Sequence, residues 1–206
     1  MFTGIITDVA TIERATPTSA GREFVVRTTY DGIVDGESIA CDGVCLTVRE
    51  SGAGTLTVAA VVTTLERTTL GGWADGRRIN TERSMALGDR LGGHLVSGHV
   101  DCSGTVTGVA RKDDALLIDL ALPADWMPLM VPHGSIAVNG ISLTVNELLA
   151  DGVQLSLIEY TLRHTNLGDL RVGDRVNIEA DMIGKYVQRL AAPHLSSDTA
   201  HLPSVE

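Results

Sequence analysis

Aromatic rings, basic charge and cysteine are all scarce in this 206-residue chain, and each scarcity removes a class of function. Lys and Arg number 16 against 26 Asp and Glu, for a net charge of −10, and Phe, Trp and Tyr make up only 3% of residues. Such a chain offers neither a basic groove for phosphates nor a series of stacking platforms for bases, so no nucleic-acid partner is expected. Its apolar runs stop far short of the roughly 20 residues that a membrane-crossing helix needs. The opening "MFTGIITDVA" lacks the basic start of a secretion signal. The expectations are therefore no membrane partner and a cytoplasmic location. Cys41, Cys45 and Cys102 form an odd set that suits reduced thiols rather than a disulfide framework. His94, His99 and Cys102 invite a zinc reading by their spacing, yet no fourth ligand and no C-x-x-C knuckle accompany them, so no metal is expected. A dinucleotide-binding G-x-G-x-x-G unit is missing as well.

What the chain does have is period-two alternation. "IITDVATIE", "EFVVRTT", "CLTVRE" and "GTLTVAAVV" are followed by "GTVTGVA", "ALLIDLAL", "SLTVNE" and "VQLSLIEY", all rich in Val, Ile, Leu and Thr and separated by Gly, Asp and Asn. This is the pattern of short antiparallel strands, and several per half predict two small all-β barrels or sandwiches. Helical signals are few: "SMALGDRL", "DWMPLM" and, near the end, "DMIGKYVQRLAA". In the last, Met182, Ile183, Tyr186, Val187 and Leu190 form one apolar stripe over 181–192, Asp181 is placed to cap the start and Pro193 to lie beyond the end. The stripe serves either its own barrel or the assembly of subunits. Residues 193–206 read as a disordered polar tail.

The chain also repeats itself. "SIACDGVCLTV" from Ser38 matches "SIAVNGISLTV" from Ser135 at an offset of 97, and "TLERTTLGGWADGRRINTER" from Thr64 matches "TLRHTNLGDLRVGDRVNIEA" from Thr161 at the same offset. Such self-similarity divides the chain into two copies of one unit, residues 1–97 and 98–180. Within the first motif the conspicuous change is Cys45 against Ser142. Carried back to the start of each copy, the offset sets Phe2 against His99 and Met1 against Gly98. Phe2 then reads as a lid over a flat ligand, and His99 either as a proton carrier near neutral pH or as a core histidine. Gly43 and Gly140 mark tight turns that permit close backbone approach. A purely structural strand and turn would look the same locally.

"MFTGII", "GVCLTV", "GGHLVSGHVD", "GSIAVNGISLTV", "TTLG"/"TNLG" and "VNIEAD", in this order, resemble the riboflavin synthases of the α-chain type, and the resemblance runs from Met1 to about Leu190. It implies homotrimers of paired six-stranded Greek-key β-barrels, held together partly by a C-terminal α-helix at 181–192. It implies dismutation of two 6,7-dimethyl-8-ribityllumazine molecules to riboflavin and 5-amino-6-(D-ribitylamino)uracil, with no cofactor. Lumazine synthase is a further partner it brings into view. A reaction that joins two copies of one molecule needs two like pockets, and unlike roles for them.

By the same resemblance, the first lumazine lies against Gly4, Ile5 and Ile6, against Cys45, Leu46 and Thr47, and along Ala59, Ala60, Val61, Val62, Thr63 and Thr64. The second lies against Gly98, His99 and Val100, against Ser142, Leu143 and Thr144, and along Ser156, Leu157, Ile158, Glu159, Tyr160 and Thr161, with His133 nearby. The proton step falls to His99 and Ser142 with Thr144, or to their counterparts Cys45 and Thr47. Asp181 either orients a hydroxyl or caps the helix. No G-x-S-x-G elbow surrounds Ser142, so acyl transfer is not expected. Three positions depart from the family pattern: His133 stands where many members carry Lys, Asn139 where Asp is frequent, and "IEYTL" precedes the last motif. The rival readings are a single-chromophore antenna protein, a flavin-binding barrel and a structural β-protein. The intact second "SLTV" counts against the first.

Overall fold

The computed structural model describes residues 1–195. β1 (Asp8–Thr18), β2 (Gly21–Arg27), β3 (Ser38–Cys41), β4 (Val44–Gly52), β5 (Thr55–Val61) and β6 (Arg78–Arg83) close into a barrel in the order β1-β2-β5-β4-β3-β6. β7 (Cys102–Lys112), β8 (Ala115–Ala121), β9 (Ser135–Val138), β10 (Ile141–Leu149), β11 (Gly152–Leu157) and β12 (Arg175–Ala180) close a second barrel with the same connectivity. All pairings within the barrels are antiparallel. Closure leaves neither sheet with a free edge.

Alternation sets which side chains face inward. Along β5, Leu56, Val58 and Ala60 are buried while Thr55, Thr57 and Ala59 are less so. The first core gathers these with Ile12, Phe24, Val26, Ile39, Val48 and Trp73, where Phe24 meets Trp73 edge-on at 5.2 Å between centroids. Truncating a fully enclosed side chain such as Leu56 to Ala would cost about 2–5 kcal/mol.

The repeat holds in three dimensions, but not at one offset. Ten residues join β2 to β3, and thirteen join β8 to β9, the extra three lying in a connection that contains a 3-10 turn at Ala124–Leu129. The offset is therefore 97 from Ser38 onward and 94 before it. The β-bulges follow this rule, at Ile12/Arg14 and Val106/Gly108 in one strand pair and at Val48/Glu50 and Val145/Glu147 in the other. The counterpart of Phe2 is thus Val96, and that of His99 is Ile5. The expected pairing of Phe2 with His99 fails because it carries one offset across an insertion.

The barrels meet through their β3–β4 and β9–β10 hairpins. Asp42-Gly43 and Asn139-Gly140 are two-residue turns with positive φ throughout, 42° and 79° in one and 45° and 80° in the other. This is the Asp-Gly/Asn-Gly chemistry that such hairpins favour. The glycines sit back to back: a Cβ added to Gly43 would lie 2.6 Å from the Gly140 nitrogen. Around them runs a buried polar network. Asn80 Nδ2 donates to the Asn139 carbonyl at 3.0 Å, and Asn177 Nδ2 to the Asp42 carbonyl at 2.9 Å. Asp42 Oδ1 accepts from the Asn80 backbone N–H and the Asn166 side-chain amide, both at 2.8 Å, while Oδ2 faces Arg77 at 3.6 Å. Asn139, at the matching place, accepts from the Asn177 N–H at 2.8 Å.

Helices depart from the sequence expectation. "SMALGDRL" is irregular, and "DWMPLM" lies in the 3-10 turn. Two short helices lie where none is expected, α1 (Val62–Arg67) and α2 (Glu159–His164), each followed by a 3-10 turn whose first N–H groups are capped by Thr68 or Thr165. Neither buries a residue, so no apolar stripe announces them. α3 (Met182–Leu195) runs past Pro193, which sits inside its last turns rather than beyond them. The tail expected at 193–206 therefore begins inside the helix, and residues 196–206 fall outside the described residues. Among the described residues no helix is long and apolar enough to cross a membrane.

Candidate functional site

Each copy begins with a short segment held by a buried carboxylate. Glu82 accepts the Thr3 N–H and hydroxyl, both at 2.7 Å, through one oxygen, and the Gly4 N–H at 3.0 Å through the other. Glu179 does the same for Ser97, at 2.7 Å twice, and for Gly98 at 2.9 Å. Burial pushes the Glu82 carboxyl above its ordinary pKa, opposed by these three donors. Three donors per carboxylate fix the glycines in left-handed backbone, with φ of 75° at Gly4 and 78° at Gly98.

So held, each segment crosses to the other barrel. The Gly4 carbonyl accepts the Ser142 N–H at 2.8 Å, and the Gly98 carbonyl accepts the Cys45 N–H at 2.8 Å. A Cβ on Gly4 would lie 2.6 Å from the Ser142 Cβ, and one on Gly98 would lie 2.6 Å from the Cys45 Cβ. Ile6 packs on the second core and Val100 on the first. The expected grouping is therefore exchanged. Cys45, Thr63 and Thr64 share a cavity of about 400 Å³ with Gly98, His99 and Val100, together with Val44, Arg67 and Thr68. Gly4, Ile5 and Ile6 belong with Ser142. Local strand patterns cannot reveal such a crossing, because it is a contact between copies.

The remaining positions sort by the pleat. Leu46, Ala60 and Leu157 point into the cores, whereas Thr47, Val61, Val62, Thr144, Ser156, Ile158, Glu159 and Tyr160 are exposed; Ala59, Thr161 and Leu143 are half-buried. Phe2 is not a lid. It is 0% exposed, pairs its backbone with Val96 at 2.8 and 3.1 Å, and fills an inter-barrel cluster with Ala40, Val96, Ala137 and Cys45. His133 takes the left-handed backbone (φ 61°) that Gly36 takes in the first copy, with its N–H on the Val145 carbonyl at 2.9 Å. Asn139 lies in the inter-barrel turn rather than beside Ser142. Asp181 caps α3 by accepting the Ile183 N–H at 2.9 Å.

The residue that sequence reasoning passes over is His94, which enters there only as a zinc ligand. Its Nδ1 lies 2.7 Å from Ser142 Oγ, and its buried Nε2 has no protein partner among the described residues. Desolvation holds its pKa below the ordinary histidine value, against the opposing pull of Asp181 and Glu179. A neutral imidazole on a hydroxyl is an acid–base pair. His99, by contrast, faces the Cys45 cavity. Cys45 is half-buried, while Cys41 and Cys102 are enclosed thiols; burial pushes the Cys102 thiol up to about 12 and Cys41 higher still. Among the described residues no cluster of His, Cys, Asp and Glu is arranged to hold a metal.

Comparison with known proteins agrees with the duplication. The lumazine binding domain matches residues 3–84 and again 97–181. The riboflavin synthase of Brucella abortus is 44% identical over 200 residues, covering 93% of this chain and 98% of that protein. Those of Bacillus subtilis and Mycobacterium bovis are 39% and 42% identical, with 92% of this chain covered in each case and 89% and 98% of theirs. Among solved structures, LumP complexed with riboflavin superposes with a TM-score of 0.80 at 22% identity, over 87% of this chain and 99% of that one, which speaks for the shared fold. Two closed barrels, each matched by the lumazine binding domain, together with relatives of one kind matched over nearly their full length, place this chain in the riboflavin synthase family, as a protein of two lumazine-binding domains.

Proposed function

We propose that the chain catalyses the riboflavin synthase reaction, in which one 6,7-dimethyl-8-ribityllumazine molecule transfers a four-carbon unit to a second to give riboflavin and 5-amino-6-(D-ribitylamino)uracil. The observation that carries this reading is the pair of crossed half-sites, alike in backbone and unlike at Cys45/Ser142 and His99/Ile5. One molecule must yield a methyl proton and the other must accept the resulting carbon nucleophile, so like frames with unlike side chains suit the chemistry. Holding two reactants in register can be equivalent to roughly 10⁵ M or more. One positioned acid or base adds about 10²–10⁴-fold.

His94 is the proton acceptor this geometry supports best. In the tautomer that carries its proton on Nε2, the desolvated ring takes the Ser142 hydroxyl proton through Nδ1 as the Ser142 oxygen takes the methyl proton of a lumazine lying against Gly4–Ile6, so the charge ends as imidazolium and carbanion. In the other half-site Cys45 and His99 face the second molecule. Leu46, Ala60 and Leu157 contribute through the barrel wall, and Thr47 and Thr144 through hydroxyls on the outer face. Each chain carries both half-sites, and a completed site needs a neighbour. The apolar stripe of α3 supports assembly of subunits, for which the homotrimer is the proposed form: Ile183, Tyr186, Val187 and Leu190 are 59–72% exposed, far more apolar surface than one helix leaves in water without a partner. The test is to mix purified protein with the lumazine alone and quantify products by chromatography. One riboflavin per two lumazines is expected; lumazine binding without riboflavin would return the antenna reading.

A further inference from the structure

The segments that wall the two half-sites are clamped alike at their start and held differently at their end. Each enters its own barrel through a matching backbone bond: the Thr7 N–H donates to the Thr81 carbonyl at 3.2 Å, and the Asp101 N–H to the Ile178 carbonyl at 2.8 Å. Beyond that bond the copies part. Asp101 Oδ2 accepts the Ala180 N–H at 2.8 Å and lies 2.5 Å from Lys185 Nζ, so this segment ends on α3. Its twin Thr7 pairs its hydroxyl with Tyr30, and the counterpart of Lys185 is Gly88, in the irregular stretch between the barrels, with no side chain to make such a tie.

The side chains of Lys185 and Asp101 are only 27% and 12% exposed, so water and salt screen the pair less than one at the surface. Ile183, Tyr186 and Val187 turn outward from α3, while Lys185 turns back to the barrel. Glu179 grips Ser97 and Gly98, Lys185 grips Asp101, and only His99 and Val100 hang between these anchors. A span that short has little slack. His99 faces the first cavity, Val100 packs on the first core, and the Gly98 carbonyl holds the Cys45 N–H.

We infer that Lys185 is a positioning residue for the first half-site: through Asp101 it holds in place the segment that carries His99 over Cys45, and so ties that half-site, but not the second, to α3. The inference rests on the proposed function and names what keeps one of its two half-sites in shape. Lys185 touches no ligand; it acts through Asp101 on Gly98–Val100.

Cys45 reports on this segment directly, because it is half-buried beneath Gly98 while Cys41 and Cys102 are enclosed. The full chain is treated with iodoacetamide, with and without riboflavin, and Cys45 alkylation is followed by peptide mapping. Lys185→Met keeps the aliphatic stem and loses the ammonium. It should speed Cys45 alkylation and raise the riboflavin concentration that half-protects Cys45, each about threefold to thirtyfold, between the worth of a surface ion pair and that of a buried one. Asp101→Asn keeps an acceptor for the Ala180 N–H and should match it, and the two changes together should add nothing to either. Equal protection in wild type and Lys185→Met, or additive effects in the double variant, overturns the inference and leaves the function standing. Faster alkylation of all three cysteines with a lower urea midpoint also overturns it, in favour of a general loss of stability. A wild-type protein in which riboflavin leaves Cys45 unprotected and lumazine is not consumed overturns the proposed function and the inference together.

Discussion

Replacing Asp42 by Asn should stabilise the protein, although it removes a charge that faces an arginine. Asp42 is fully buried at the barrel junction, and burial pushes its carboxyl up to about 6 against the opposing effects of the Asn80 N–H, Arg77 and Asn166. In an unfolded chain the same group titrates near 4. Between these values the folded protein holds a proton that the unfolded chain has released, so stability falls as pH rises through that window. The full benefit of the neutral group is present below about pH 4 and gone above about pH 6. Raising the carboxyl from about 4 to about 6 corresponds to about 3 kcal/mol, the cost of keeping Asp42 ionised at neutral pH. An amide avoids that cost and keeps the Oδ1 acceptor for Asn80 and Asn166; Asn139, at φ 45° against 42° for Asp42, already occupies the twin turn and accepts from Asn177 in the same way. Part of the gain is lost because the new Nδ2 faces Arg77, a donor against a donor, leaving about 1–3 kcal/mol. Urea unfolding at pH 7.5 should show a midpoint higher by roughly 0.5–1 M for a slope of a few kcal/mol per molar. At pH 4 the two proteins should unfold together. A variant less stable at pH 7.5, or a gap that does not close with acid, would refute the reasoning and make the Asp42–Arg77 attraction the larger effect.

Other perturbations separate the remaining roles. His94→Gln should lower kcat about 10²-fold with little change in KM, and it should remove the acid limb of the wild-type pH–rate profile, which lies below the ordinary histidine value because burial depresses that pKa. Gly98→Ala puts a Cβ 2.6 Å from that of Cys45 on left-handed backbone, and Gly4→Ala does so against Ser142; calorimetric titration with riboflavin should lose a different half-site in each. Glu179→Gln turns an amide donor toward Ser97 or Gly98 and should cost about 1–3 kcal/mol in a thermal melt. If the proposed homotrimer forms through α3, replacing Tyr186 and Leu190 together by Asp should give a monomer in size exclusion where the wild type elutes as an oligomer, while each barrel keeps its β-sheet signal in circular dichroism.

Period-two alternation and the repeated motif make the strands and their duplication legible, because a barrel wall buries every second residue and a duplicated barrel repeats that code. α1 and α2 are not legible, since "VTTLER" and "EYTLRH" bury nothing and so carry no periodic stripe. The exchange of half-sites is hidden for a different reason: Gly4 meets Ser142, and Gly98 meets Cys45, far apart along the chain, and strand periodicity is silent about distance. His94 escapes notice because its meaning depends on Ser142, 48 positions later. Asp181, just ahead of an apolar stripe, reads in the sequence either as a helix cap or as a residue that orients a hydroxyl, and the structure shows the cap.

The crossing also orders events during synthesis. The strands of the first barrel are complete at Arg83, but the segment that walls its cavity, Gly98–Val100, emerges 15 residues later and is locked only by Glu179, near the end of the second barrel. A nascent first barrel is therefore closed as a shell before it is competent as a receptor. A ligand held in that cavity therefore reports on a chain made at least as far as Glu179.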